Sequence, residues 1–172
     1  MKRSCALAAL LGALAVLGFA PFALWPLPIL SVTGLLWLWH LHPTPRAAAL
    51  LGYSFGLGHF LIGVSWVYVS LHTFGMMPAP LAAIATLGFC LFLAIYPAAV
   101  GFVCARWEVT RPVVALIMIP GVWISFEWLR GWFLSGFPWL SIGYSQIDTP
   151  LAGFGPLVGV YGVSNLTIGT AG

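Results

Sequence analysis

Between Arg3 and Arg46, and again between Arg46 and Arg106, no side chain carries a formal charge. A water-facing surface cannot be assembled from such stretches. Soluble domains give roughly 25% of their residues to Asp, Glu, Lys and Arg, whereas here the share is 5%, beside 62% hydrophobic residues and a mean hydropathy of +1.06. The solvent that suits this chain is lipid. A hydrocarbon core about 30 Å thick takes about 20 apolar residues per helix, so 172 residues allow some five to seven spans with short loops. The expectation is an all-α, polytopic transmembrane helix bundle of about five to six spans, with its N-terminus cytoplasmic.

The few charges exclude other classes. Lys2, Arg3, Arg46, Arg106, Arg111 and Arg130 stand singly or as one pair against Glu108, Glu127 and Asp148, a formal net charge of +3. Scattered cations are no nucleic-acid footprint. Cys5, Cys90 and Cys104 lie in apolar runs with no CxxC and no His at ligand spacing, so they read as small hydrophobes; no disulfide, metal or cofactor is expected. Lys2 and Arg3 before the apolar run Cys5 to Leu17 also fit a cleaved signal peptide. The next hydrophobic run follows almost at once, however, which favours an uncleaved first span.

Along the chain, spans are expected at about 4–20, 27–40, 47–70, 81–105, 112–134 and 151–172. Pro21, Pro26 and Pro28 punctuate the first turn; a proline near a helix start costs no hydrogen bond. The stretch His40 to Arg46 separates the second span from the third, and His72 to Pro80 forms the next loop. Gly155-Pro156 is expected to break the last apolar stretch near its start. That stretch ends without a charged anchor at its far end, which suggests a piece of a longer protein.

Basic residues favour cytoplasmic loops. An inside N-terminus puts Lys2, Arg3, Arg46, Arg106 and Arg111 on the cytoplasmic side and leaves the opposite loops, Pro21 to Pro26 and His72 to Pro80, without Lys or Arg. Trp66 and Tyr68 then close the third span at the outer side, and Trp128, Trp132 and Trp139 crowd the outer end of the fifth, as aromatic belts do at headgroup depth. Gly52, Gly56, Gly58 and Gly63, with a GxxxG at Gly52 and Gly56, predict close approach of another helix to the third span.

Chemistry is sparse. Glu127 and Arg130, three residues apart, share a helix face about 22 and 27 Å up a span of about 30 Å. Ionisable groups at that depth are costly unless paired or facing a polar cavity, and so mark a candidate site; a structural ion pair or a snorkelling arginine accounts for them equally well. The following Gly131 to Asp148 stretch is aromatic and glycine-rich, with Tyr144, Ser145, Gln146 and Asp148 as polar groups. It suits an amphiphile with chains in lipid and a wet head, or a loop that only caps the bundle. His72, in the other outer loop, is a lone histidine, more often a loop hydrogen-bonder than a base. There is no Ser-His-Asp order, HExxH, Walker loop or GxSxG.

Several stretches together resemble the bacterial apolipoprotein N-acyltransferases in their membrane portion. They are Gly18-Phe19-Ala20-Pro21-Phe22 with Trp25-Pro26, then Gly63 to Ser70 running into Phe74-Gly75-Met76-Met77-Pro78. The longest is Glu127-Trp128-Leu129-Arg130-Gly131-Trp132, continued by Gly136-Phe137-Pro138-Trp139-Leu140 and Gly143-Tyr144-Ser145-Gln146. Pro150-Leu151-Ala152-Gly153 and Gly159-Val160-Tyr161-Gly162 complete the set. The resemblance covers nearly the whole chain.

It implies an enzyme of the bacterial inner membrane that moves an acyl chain from a phospholipid to an enzyme cysteine. From there the chain passes to the α-amino group of a diacylglyceryl-cysteine on a lipoprotein. The family's catalytic Glu, Lys and Cys belong to a nitrilase-like domain on the periplasmic side, inserted before the last transmembrane helix and expected beyond Gly172. Neither Glu108 nor Glu127 matches the catalytic glutamate, Lys2 is the sole lysine, and all three cysteines precede the nucleophile's domain. The chain is thus expected to be inactive alone. Its expected role is to hold substrate chains at the outer face, with Glu127, Arg130, Trp139, Tyr144, Gln146, Trp66, Tyr68 and His72 as site residues.

Two rival readings remain at this point. A transporter or channel also buries Glu and Arg in a bundle, but such folds often repeat internally, and neither aromatic motif has a second copy. A purely structural membrane subunit would tolerate an apolar pair in place of Glu127 and Arg130.

Overall fold

The computed structural model describes the backbone of residues 1–107 and 112–171 and the side chains of the same residues except 112–115. Glu108, Arg111 and Gly172, which entered the expectations above, lie outside the described residues. Among those described, every regular element is helical. The helices are α1 Lys2–Ala15, α2 Pro26–Leu41, α3 Pro45–Gly63, α4 Trp66–Val69, α5 Ala79–Leu93, α6 Ile95–Arg106, α7 Pro112–Trp132 and α8 Gly155–Ala171.

Local chemistry accounts for the boundaries. Thr44 caps α3, its hydroxyl accepting from Ala47 N–H at 3.4 Å, and Pro45 follows in the first turn, where a missing N–H costs nothing. Pro97 has no N–H for the Leu93 carbonyl four residues back, and the helix is interrupted at Ala94 between α5 and α6. The interruption is mild, for Ala79–Arg106 still makes one apolar stretch of 28 residues.

Several expected spans end or bend differently. The first stops being α-helical at Ala15 and closes with a 3₁₀ turn, Val16–Gly18, instead of running to 20. The third, expected unbroken over 47–70, breaks after Gly63 and resumes as α4 at 46°; Ser65 Oγ donates to Ile62 O at 2.9 Å. A π-turn, Ser70–Phe74, follows. The fifth ends at Trp132, before a 3₁₀ turn at Phe133–Ser135. Gly155-Pro156 does not break the last helix, because Pro156 sits in its first turn, where proline is tolerated. The irregularity lies at Gly159, with φ +67°.

Helix α3 lies between α1 and α6, α7 between α6 and α8, and α2 closes the circuit between α8 and α1. The core includes Ala8, Leu35, Leu51, Phe55, Val100 and Ile168. Trp37, Ile84 and Ile117 instead point outward, exposed, an apolar rim that suits lipid and not water. Among the described residues two stretches, Ala79–Arg106 and Pro150–Ala171, are long and apolar enough to cross a membrane unaided, and the bent pair Pro45–Gly63 and Trp66–Phe74 makes a third if taken as one span.

Glycine sets how closely the helices approach. A Cβ on Gly12 would collide with the Phe55 carbonyl of α3, and one on Gly52 with the Pro97 carbonyl of α6. Without a hydrophobic force between helices in lipid, backbone approach of this kind supplies the dispersion contact that holds them. Gly56 likewise faces Ala94 and Pro97, so the GxxxG stripe packs on α6 while Gly58 packs on Ala9 of α1.

The ends of the bundle differ. Ser4 and His42 meet at 3.0 Å, and Trp39 Nε1 donates to Ala48 O at 2.9 Å, which collects the exposed Lys2, Arg3, Arg46 and Arg106 at one end. At the other, Leu140 covers Gly63 and Gln146 reaches Trp25. Replacing Gly12 or Gly52 by Ala is expected to cost about 1–3 kcal/mol as backbones are forced apart. Gly88→Ala, which meets open space, should be nearly neutral; thermal unfolding of the chain in detergent measures all three.

Candidate functional site

The end opposite the basic residues is built around α7 and the loop after it. Arg130, 3% exposed, ends a helix face whose next residues turn back on it. Its Nη1 donates to Phe137 O at 2.7 Å and Trp139 O at 2.6 Å, and its Nη2 to Ser141 Oγ at 3.1 Å. Arg130 O in turn accepts from Phe137 N–H at 2.7 Å. The guanidinium lies over the Phe60 ring, 5.4 Å from its centroid. A planar fork of five N–H donors serves several carbonyls at once, which a lysine ammonium on a flexible stem does less well.

Glu127, 7% exposed, grips the same loop one turn earlier. Its Oε1 accepts from Trp123 Nε1 at 3.1 Å and from Ile142 N–H at 2.9 Å. Its Oε2 is buried without a hydrogen-bond partner. Among the described residues no salt bridge joins Glu127 to Arg130, so they are not a contact ion pair: the helix carries a cation and an anion that both act on the loop backbone.

The loop is bent to meet them. Leu134, Ser135 and Leu140 have φ of 50°, 77° and 61°, and Gly136 has 75°. A side chain on Gly136 would strike the Gly131 carbonyl, so that position is open to glycine alone. Non-glycine residues at positive φ are strained, and such strain persists only where surrounding bonds over-determine it; the Arg130 clamp is such a constraint. Farther on, Gly143 N–H donates to Ser164 Oγ of α8 at 2.8 Å, and Gln146 Nε2 donates to Trp25 O at 3.1 Å and Ser145 Oγ at 3.0 Å.

The expected site residues thus separate into two kinds. Glu127, Arg130 and Gln146 are buried and brace backbone. Trp66 and Trp139, both half-exposed, form an aromatic cluster with Phe137: centroids are 6.3 Å apart for Trp66–Trp139, 6.5 Å for Trp66–Phe137 and 5.0 Å for Phe137–Trp139. Phe89 of α5 meets Phe137 edge-on at 4.9 Å. The cluster joins the segment after Gly63 to the loop after Trp132, and Phe74, Met76 and Leu134 stand beside it in sequence, strongly exposed. Tyr68 and His72 form a pair of their own, stacked at 5.5 Å, with His72 Nδ1 2.9 Å from Met77 O. Tyr144 is half-exposed on the turn Ile142–Gln146, which packs against α8.

Sequence reasoning missed Trp123, Ser141 and Ser164, whose partners are fixed only by the fold. It also missed His59, whose ring nitrogens face Gly12 O at 3.2 Å and Leu140 O at 3.4 Å. An imidazole in the middle of an apolar helix was a readable signal. A small cavity of about 30 Å³ beneath the loop is lined by His59, Tyr96, Glu127 and Arg130 among apolar residues including Phe60 and Leu140. Cys90 and Cys104 are buried in the bundle, and Cys5 sits on α1 near its basic start.

Fold and site together define an all-helical domain of membrane type, with a buried glutamate and arginine under an aromatic loop at one end. The family model for the apolipoprotein N-acyltransferase N-terminal domain matches residues 11–172, and the chain belongs to the apolipoprotein N-acyltransferase family. It is 46% identical over 157 residues to the apolipoprotein N-acyltransferase of Nitrosomonas europaea, covering 91% of this chain and 32% of that protein. To the Ralstonia nicotianae protein of that name it is 44% identical, covering 100% and 34%. To the Vibrio cholerae one it is 42% identical, covering 96% and 33%. The chain therefore spans about a third of the length of these curated relatives.

Truncating the arginine leaves three loop acceptors without their donor, so Arg130→Ala is expected to destabilise the chain by about 3 kcal/mol, the range seen when one partner of a buried charged network is removed. Arg130→Lys keeps the charge but not the fork and should fall between. Hydrogen exchange at Phe137 and Ser141, whose amides bond to Arg130 O and Pro138 O, should rise in both variants and least in the lysine one.

Proposed function

We propose that this chain is the membrane part of an enzyme that transfers an acyl chain from a phospholipid to the N-terminal diacylglyceryl-cysteine of a lipoprotein, a step in lipoprotein maturation. The observation that carries this reading is the aromatic platform of Trp66, Phe137 and Trp139, half in and half out of the apolar end and held by Arg130. A phospholipid donor and a diacylglyceryl acceptor both have chains that need apolar faces and a scissile or nucleophilic head that must stay near the interface. Rigid positioning there is what an acyl transfer between two lipids requires. In this reading Trp66, Trp139, Tyr144, Tyr68 and His72 face the lipids, while Glu127, Arg130 and Gln146 act through the loop.

The nucleophile belongs to a part of the enzyme beyond this chain, and no cofactor or nucleic acid takes part. Cys90 and Cys104 pack as small apolar groups, which fits their having no share in the chemistry. Against a transporter stands the way the ionisable groups are used: Arg130 spends its donors on loop acceptors, not on a polar path through the bundle.

The same reading places the chain in the bacterial inner membrane with five to six spans, the basic end cytoplasmic and the aromatic end periplasmic. The closed circuit of α1, α3, α6, α7, α8 and α2, with exposed Lys2, Arg3, Arg46 and Arg106 at one end, supports it. Single cysteines at Thr44 and Thr73 in a background without Cys5, Cys90 and Cys104 test the orientation. A membrane-impermeant thiol reagent on intact cells should label position 73 and spare position 44, and the reverse pattern would refute it.

Activity is tested in the full-length gene product. Trp66→Ala and Trp139→Ala, assayed for acyl transfer at equal expression, should each lower the rate about tenfold, the loss expected when about 1.4 kcal/mol of positioning is removed. The double variant should lose more. Unchanged activity in all three would sink the platform as a substrate site.

A further inference from the structure

Beneath the loop, two buried residues that carry acceptors line one small cavity. Glu127 is 7% exposed, and its Oε2 has no hydrogen-bond partner although its Oε1 has two. His59, 4% exposed, presents both ring nitrogens to carbonyl oxygens, Nδ1 at 3.2 Å from Gly12 O and Nε2 at 3.4 Å from Leu140 O. A neutral imidazole has one N–H to give. The neighbouring Arg130 is already a buried cation, and a second one beside it is disfavoured. Whichever ring nitrogen donates to its carbonyl, the other is an acceptor facing an acceptor. Both Glu127 Oε2 and one ring nitrogen of His59 therefore need a donor.

The cavity that both residues line measures about 30 Å³. A water needs about 10–15 Å³ on this measure and two to four polar partners, so the space takes one or two molecules and no lipid headgroup. Arg130 and Tyr96 line the same cavity. The fork of Arg130 keeps N–H groups beyond the three given to Phe137, Trp139 and Ser141, and the phenol of Tyr96 is a further donor.

We propose that this cavity is a structural water site. The water donates to Glu127 Oε2 and to the unprotonated ring nitrogen of His59, and accepts from Arg130 or Tyr96. It fastens α3 and α6 to α7 under the loop, with Glu127 as the positioning residue that carries its hold to Ile142. This goes beyond the acyl-transfer reading and stands whether or not that reading does.

The sequence contains only two glutamates, Glu108 and Glu127, which makes the test direct. In Glu108→Gln of the full-length gene product, with residues 1–172 segmentally labelled with ¹³C at the glutamate and aspartate carboxyls and the protein reconstituted in phosphatidylethanolamine–phosphatidylglycerol liposomes, solid-state NMR follows magnetisation passing from water protons to Glu127. The expected result is build-up as early as at the exposed Asp148, despite the burial of Glu127. Build-up as late as at a buried Leu35 or Leu51 carbonyl, labelled in a parallel sample, would mean a dry carboxyl and overturn the proposal. A second variant, His59→Phe on the same background, removes one acceptor and fills space. It should lose the early build-up while the Ile142 amide shift, which reports the grip of Glu127, is retained; early build-up persisting there would refute the bridge to His59.

Discussion

The end of this molecule opposite its basic residues depends on one side chain making hydrogen bonds to a loop that immediately follows it. Arg130 is nearly inaccessible, and a buried cation is tolerable only when its donors are occupied. Its three acceptors, Phe137 O, Trp139 O and Ser141 Oγ, all lie within eleven residues downstream, so the cost of burying the charge is met by folding the loop back. From that constraint follow the left-handed backbone at Leu134, Ser135 and Leu140 and the placement of Phe137 and Trp139 against Trp66. Leu140 in turn reaches the glycine where α3 breaks. Glu127 repeats the logic on Ile142. Neither residue is spent on the other.

The clamp needs a firm support, and the close helix packing below provides it. Where backbones approach through Gly12, Gly52 and Gly58, carbonyls that a side chain would otherwise shield come within reach of polar groups on the next helix. Gly12 is the clearest instance: the same residue that admits α3 also offers its carbonyl to His59. Packing and polar satisfaction are therefore not separate features here. A bundle held apart by larger side chains would strand the imidazole.

What was legible in the sequence follows from this division. The all-helical class and the basic end were readable because hydropathy and charge act locally. Glu127 and Arg130 stood out because ionisable residues in apolar helices are rare. Their partners were not readable: Phe137, Trp139 and Ile142 contribute backbone groups, which every residue carries, and no residue type announces them. The break after Gly63 was hidden for a related reason, since Gly63-Val64-Ser65 sits inside a run that is apolar throughout and differs from a helix only in geometry. Gln146 and Tyr144 looked alike as polar loop residues, yet one is fully buried on Trp25 O and the other half-exposed, a difference set by which face of a short 3₁₀ turn meets α8.

A loop so placed does two jobs that pull against each other. Its lower face must satisfy a buried arginine and glutamate, which demands fixed carbonyls and amides. Its upper face carries aromatic rings, of which Trp139 is exposed. The alternation of the sequence reconciles them: Trp139 lies exposed while its carbonyl is clamped, and Ser141, two residues on, is wholly buried. Because the main chain is held from below, the rings above are fixed in position without being packed from above. A surface prepared in this way remains available to a lipid chain, and its order does not depend on the chain being there.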